Sequence, residues 1–195
     1  MSSRAGEAFN ADEAFHEVYR LARDELLKRN PEMSESVIGN RARVVALSAI
    51  KFFMTRQDAK KPIEYNPQES LSFDGQTGPY VLYTLARTYS LMRKSDAKPN
   101  EALAHILATE KEKALLYLLA KKADVFADST AHYSPHILVQ YILDLANTFN
   151  SYYHETAVIQ ENKELESARL ALVKAVNCVL EEGMFCLNIE TLQEM

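Results

Sequence analysis

The sequence predicts an all-α fold, a bundle of about seven helices, on three observations. Apolar residues recur at three- and four-residue steps through most of the 195 residues. Only 5 Gly and 6 Pro are present, too few for a sheet-rich fold dense in tight turns. Neither a repeat of fixed period nor a Gly-rich phosphate loop of the Rossmann or P-loop kind interrupts the pattern. A chain of this length buries about 70% of its unfolded surface, enough for one large domain or a domain with a small appendage.

The elements follow in order. Asn10 and Glu13 have the spacing of a capping box and open a helix through Arg29, with Phe15, Val18, Tyr19, Ala22 and Leu26 as its apolar stripe. A second helix is expected from about Val37 to Thr55 on Val44, Val45, Leu47, Ile50 and Phe53. Residues 56–79 hold three of the six prolines and two of the five glycines and show no helical period, which predicts a long loop. A helix over 80–94, a turn at 95–100 and short helices to about Thr130 come next. Ser134-Pro135 is an N-cap and first-turn proline pair, opening a helix to about Thr156. The last helix spans about Glu164 to Leu187, with Leu170, Val173, Val176, Val179 and Leu180 apolar. A domain boundary is expected near 95–100, dividing 1–95 from 96–195.

Composition narrows function. Hydrophobic residues make up 47% and charged residues 25%, as in soluble globular proteins. The net charge of -5 argues against a general polyanion binder, and so against DNA, while leaving room for a local basic patch. No segment has the length and apolarity of a membrane span or signal core, so a cytoplasmic protein without a membrane partner is expected. Cys178 and Cys186 stand two turns apart on one helix and read as buried apolar thiols rather than a disulfide or metal pair. The histidines at 16, 105, 132, 136 and 154 are scattered at no ligand spacing, so no catalytic or metal site is expected. "ENKELE" at 161–166 reads as a solvated helix start.

One helix end is unusual. "LDLANTFNSYYHETAVI" at 143–159 crowds Asn147, Asn150, Ser151, Tyr152, Tyr153 and His154 together, groups that stack and hydrogen-bond. Together with "AIKFFM" at 49–54 and "PIEYNPQESLSFDGQTGPYVLYTLAR" at 62–87, this stretch resembles the arginyl-tRNA synthetases. "SPHILVQYILDLANTFNSYYHETAVI" at 134–159 and "SARLALVKAVNCVLEEGMFCLNIETLQEM" at 167–195 are similar to that family's anticodon-binding bundle, named for an Asp-Ala-Leu-Arg signature. "MSSRAG" at the start is similar to the tail of the family's Lys-Met-Ser-Lys-Ser-type loop. The resemblance is weakest from about 95 to 130.

The resemblance implies a helical bundle of the class I synthetase anticodon-binding type, forming the C-terminal tRNA-binding part of a ligase that attaches arginine to its tRNA. In that reading Tyr153 matches the family's anticodon-loop tyrosine and Met195 its terminal methionine. Asn147 and Asn150 offer amides to base edges, and Arg169 faces a phosphate or braces the tail. Tyr80, Arg87 and Arg93, with Lys94, lie on the helix after the long loop as tRNA contacts. Met1, Ser2, Ser3 and Arg4 match the end of the loop that steadies ATP. Tyr152 is expected in the core. The Rossmann half that uses ATP and Mg is expected ahead of residue 1, so no cofactor is assigned to this chain and no adenylate formation is expected from it alone. Partners are an arginine-accepting tRNA and a separate catalytic half.

Several positions depart from the family pattern: Leu82 for a frequent Gln, Thr156-Ala157 for Cys-Pro, Asn188 for Gly, and Glu194 where a cation is common. Two other readings stay open at this point, a free-standing tRNA-binding paralogue and a helical protein-interaction module.

Overall fold

The computed structural model describes residues 10–63, 66–72 and 75–195. Among these residues there are helices and turns and no strand. The ATP-loop match at Met1, Ser2, Ser3 and Arg4 lies outside the described residues.

Helix α1 (Ala11–Arg29) is capped by Asn10, whose side chain accepts from the Asp12 N–H at 3.0 Å. It buries Ala14, Val18, Ala22 and Leu26 against α2 (Glu35–Thr55), leaving Phe15 and Tyr19 half-exposed at the edge of the stripe. The expected loop at 56–79 contains a one-turn helix, α3 (Pro67–Ser70). Its Asn66 cap takes the Gln68 and Glu69 N–H groups at 3.0 and 3.2 Å, and Pro67 occupies the first turn. Four residues are too few to show a period, so only the Asn-Pro pair signalled it.

Helix α4 (Gly78–Lys94) starts at Thr77, which accepts from the Tyr80 N–H at 3.2 Å. It crosses α2 at Gly78, where an added Cβ would stand 2.5 Å from the Ser48 carbonyl oxygen. A residue without a side chain is what lets the two backbones meet there. A 3-10 turn (Glu101–Ile106), α5 (Glu110–Ala120) and α6 (Lys122–Ala131) lead to α7 (Pro135–Glu155) and α8 (Lys163–Cys186). α7 packs on α4, α5, α6 and α8, so it lies at the centre of the second half. One continuous core runs from Val18 to Ile189 through Phe52, Leu85, Leu145, Phe149, Tyr152 and Val173, all fully covered between those ends. Each such large side chain adds about 1.5–3 kcal/mol on burial.

Three expectations change. Ser134 does not cap α7 with its side chain; its hydroxyl donates to the His132 carbonyl at 3.0 Å instead. Cys178 and Cys186 are free thiols on one helix, but both are exposed, because they fall off the stripe through Val173, Val176 and Leu180. Glu166, read as solvated, is buried and receives the Lys163 ammonium at 2.8 Å, the Ser95 hydroxyl and the Gln160 N–H at 3.1 Å. Those donors hold its carboxyl down to about 2.

Candidate nucleic-acid interface

α4 presents two faces. Val81, Leu82, Leu85, Thr88 and Leu91 go to the core, while Tyr83 and Arg87, one turn apart, share the other side. α7 divides two adjacent tyrosines in the same way. Tyr152 is fully buried, so burial pushes its phenol up, while Tyr153 is half-exposed. Phe149 braces both, with ring centres 6.3 Å from Tyr152 and 6.4 Å from Tyr153.

Arg87 joins the two helices. Its guanidinium carbon lies 4.4 Å from the centre of the Tyr83 ring and 5.0 Å from that of Tyr153. One guanidinium nitrogen donates to Asn150 Oδ1 at 2.6 Å, Asn150 Nδ2 donates to Thr84 Oγ1 at 2.8 Å, and the Thr84 hydroxyl donates to the Tyr80 carbonyl at 2.9 Å. Among the described residues Arg87 forms no ion pair. Its charge is held in place by aromatic faces and an amide, without a carboxylate to cancel it.

The chain end completes the site. α8 closes with a Schellman motif: the Asn188 N–H bonds the Phe185 carbonyl at 2.8 Å and the Ile189 N–H bonds the Met184 carbonyl at 2.9 Å. Asn188 takes φ 54°, a left-handed conformation that Asn tolerates better than most residues, so it serves where a glycine is the usual choice. The tail then runs along α2. Lys51 donates to the Asn188 carbonyl, Arg43 pairs with Glu190 at 2.6 Å, and Arg41 pairs with Glu194 at 3.3 Å. This brings Met195 beside Tyr153. Tyr83, Arg87, Arg93, Tyr153, Glu194 and Met195 line one open groove of about 450 Å³.

The structure thus brings four of the sequence-derived candidates together: Tyr153, Met195, Arg87 and Arg93. Asn150 is buried and its amide is taken up by Arg87 and Thr84, so it positions the arginine. Arg169 braces the start of α5 and the segment after α7, not the tail, donating to Glu112 Oε1 at 2.8 Å and to the Ala157 carbonyl at 2.9 Å with its side chain 11% exposed. Burial pushes Glu112 up, but the Thr109 N–H and Arg169 outweigh it and leave its carboxyl below the ordinary value. Asn147 is exposed on α7 outside the groove, and Tyr80 packs half-buried on the core. Sequence reasoning gave Tyr83 no role, although its i, i+4 spacing to Arg87 was the available signal. Arg41 carried no signal, because its partner is 153 residues away.

Among the described residues no group of three or more His, Cys, Asp or Glu is arranged to hold a metal ion, and no helix is long and apolar enough to cross a membrane.

Residues 81–195 match the model of the DALR anticodon binding domain. Over its full length the chain is 34% identical to an arginine–tRNA ligase of Porphyromonas gingivalis, and over 97% of its length it is 37% identical to that of Thermus thermophilus. It spans about a third of the length of these relatives, 34% and 32% respectively, and aligns with their C-terminal part. Among solved structures it superposes on the Thermus thermophilus arginyl-tRNA synthetase with a TM-score of 0.88 at 35% identity, covering 100% of this chain and 33% of that one. The Plasmodium falciparum enzyme gives 0.83 at 26% identity, covering 95% of this chain and 34% of that one.

Proposed function

Because the chain belongs to the DALR anticodon binding domain family, we propose that its groove reads the anticodon loop of an arginine-accepting tRNA as the C-terminal part of an arginine–tRNA ligase. The observation that carries this reading is Arg87 held between Tyr83 and Tyr153 in a groove that Met195 also lines.

The chemistry follows from that arrangement. A loop base that leaves its stack loses stacking energy, and a protein aromatic face restores it at about 1–3 kcal/mol per base. Tyr153 offers a half-exposed ring, and Arg87 behind it adds positive charge and polarises the ring system. Met195 supplies a soft apolar edge that fits irregular shapes. Arg93 faces the backbone phosphates, which position the loop without reading it. Arginine activation with ATP and Mg, and transfer to the tRNA's terminal ribose, belong in this reading to the rest of the ligase or to a separate catalytic chain, in the cytoplasm. This chain alone is expected to exchange no pyrophosphate with ATP.

A gel-shift comparison of arginine tRNA with a non-cognate tRNA tests the proposal. The chain should prefer arginine tRNA, and both Tyr153→Ala and removal of Met195 should abolish the preference. Equal retention of both tRNAs, or indifference to both changes, would overturn it.

A further inference from the structure

The Glu194 carboxylate has no part in base stacking, yet it occupies two of the groove's cations, Arg41 and Arg93. Each Glu194 oxygen faces a different guanidinium: Oε2 lies 3.3 Å from Arg41 on α2, and Oε1 lies 3.5 Å from Arg93 on α4. Arg93 also donates to the Gln193 carbonyl at 3.4 Å. Strong charge-assisted contacts close to about 2.7–2.9 Å, and the Arg43–Glu190 pair on the same tail reaches 2.6 Å. The Glu194 pairs are therefore loose, and the Glu194 side chain is 61% exposed.

The tail's course does not depend on them. Ile189 is buried and hydrogen-bonded to Met184, Glu190 is held by Arg43, and Leu192 packs on the core. Glu194 can swing into water while the backbone stays docked, at the small cost of two loose ion pairs on a carboxylate that is itself mostly exposed. What it would uncover is two arginines from different helices at the lip of the groove, with Arg41 only 16% exposed and so held in its geometry.

We propose that Arg41 and Arg93 form a phosphodiester site which the Glu194 carboxylate masks until a backbone phosphate displaces it. A phosphodiester has two non-bridging oxygens in a fork like that of a carboxylate, so it can span the same two guanidiniums. The displaced carboxylate is no longer covered by cations and is repelled by the arriving phosphate, which favours its exposed rotamers. This deepens the RNA reading and rests on it for the identity of the phosphate.

The test uses the 195-residue chain and inorganic tripolyphosphate, followed by calorimetric titration at low salt without Mg. Glu194→Gln should bind tripolyphosphate about three- to tenfold tighter than the parent, from the two released pairs. The gain should vanish when Arg41→Gln or Arg93→Gln is added. Equal affinity of Glu194→Gln and parent, or a gain that survives loss of either arginine, overturns the proposal. A parallel titration with an anticodon hairpin RNA separates the two ideas. If tripolyphosphate behaves as expected while Tyr153→Ala leaves RNA affinity unchanged, the masked site stands and base stacking falls. If RNA affinity depends on Tyr153 while Glu194→Gln changes neither affinity, the masked site falls and base stacking stands.

Discussion

The Arg87 guanidinium and the Tyr153 ring meet at 5.0 Å, although one belongs to α4 and the other to α7. Neither helix alone holds this site; their crossing does. Arg87→Lys should therefore weaken RNA binding almost as much as Arg87→Ala, about tenfold, because an ammonium cannot lie flat between two rings and also keep the fixed fork to Asn150. Filter-binding titrations of the two variants check this, and retention of parental affinity by Arg87→Lys would contradict it.

Tyr153→Ala should cost about five- to hundredfold in RNA affinity, while Tyr153→Phe keeps most of it, since the ring and not the hydroxyl supplies the stacking surface. A double-mutant cycle with Arg87→Ala should be non-additive, because both changes remove the same contact.

Arg169 is expected to report on stability and not on RNA. Removing it as Arg169→Met leaves Glu112 buried without its cation and should cost about 3–5 kcal/mol in urea unfolding. RNA affinity of the fraction that remains folded should change little, because Arg169 does not line the groove.

Two glycine substitutions should act in opposite directions. Gly78→Ala presses a methyl into the Ser48 backbone at the α2–α4 crossing and should destabilise by about 1–3 kcal/mol. Gly39→Ala, also helical, meets only the Tyr19 hydroxyl at 3.4 Å and should stabilise by about 0.5–1 kcal/mol. Denaturation midpoints of the two variants decide it.

Glu166 makes stability depend on acidity with a definite sign. Its carboxyl titrates at about 2 when folded against an ordinary value of 4.5. The contribution is therefore complete above 4.5 and drains away as the pH falls toward 2. Urea midpoints measured across that range should fall more steeply for the parent than for Glu166→Gln.

What the sequence made legible was periodic. The long helices α1, α2, α4, α7 and α8 emerged within a few residues because each repeats its apolar stripe over several turns. The family resemblance, and not the period, singled out Tyr153; the structure covers Tyr152 fully and leaves Tyr153 partly open. Buried polar groups were illegible. Glu166, Asn150 and Arg169 look like surface residues by type, and only partners brought in from distant segments, such as Ser95, Thr84 and Glu112, make their burial affordable. The cysteines misled for the opposite reason, as apolar types placed off the stripe.

The left-handed turn at Asn188 acts as a fixed origin from which the remaining chain measures out a distance. Ile189 is tied at one end and Met195 must arrive beside Tyr153 at the other. Deleting one residue between Glu190 and Glu194 would shorten that reach by about 3.3–3.6 Å, close to the roughly 3.4 Å thickness of one stacked base. In the proposed reading, tail length as much as tail composition sets whether a nucleobase finds a ceiling over its seat.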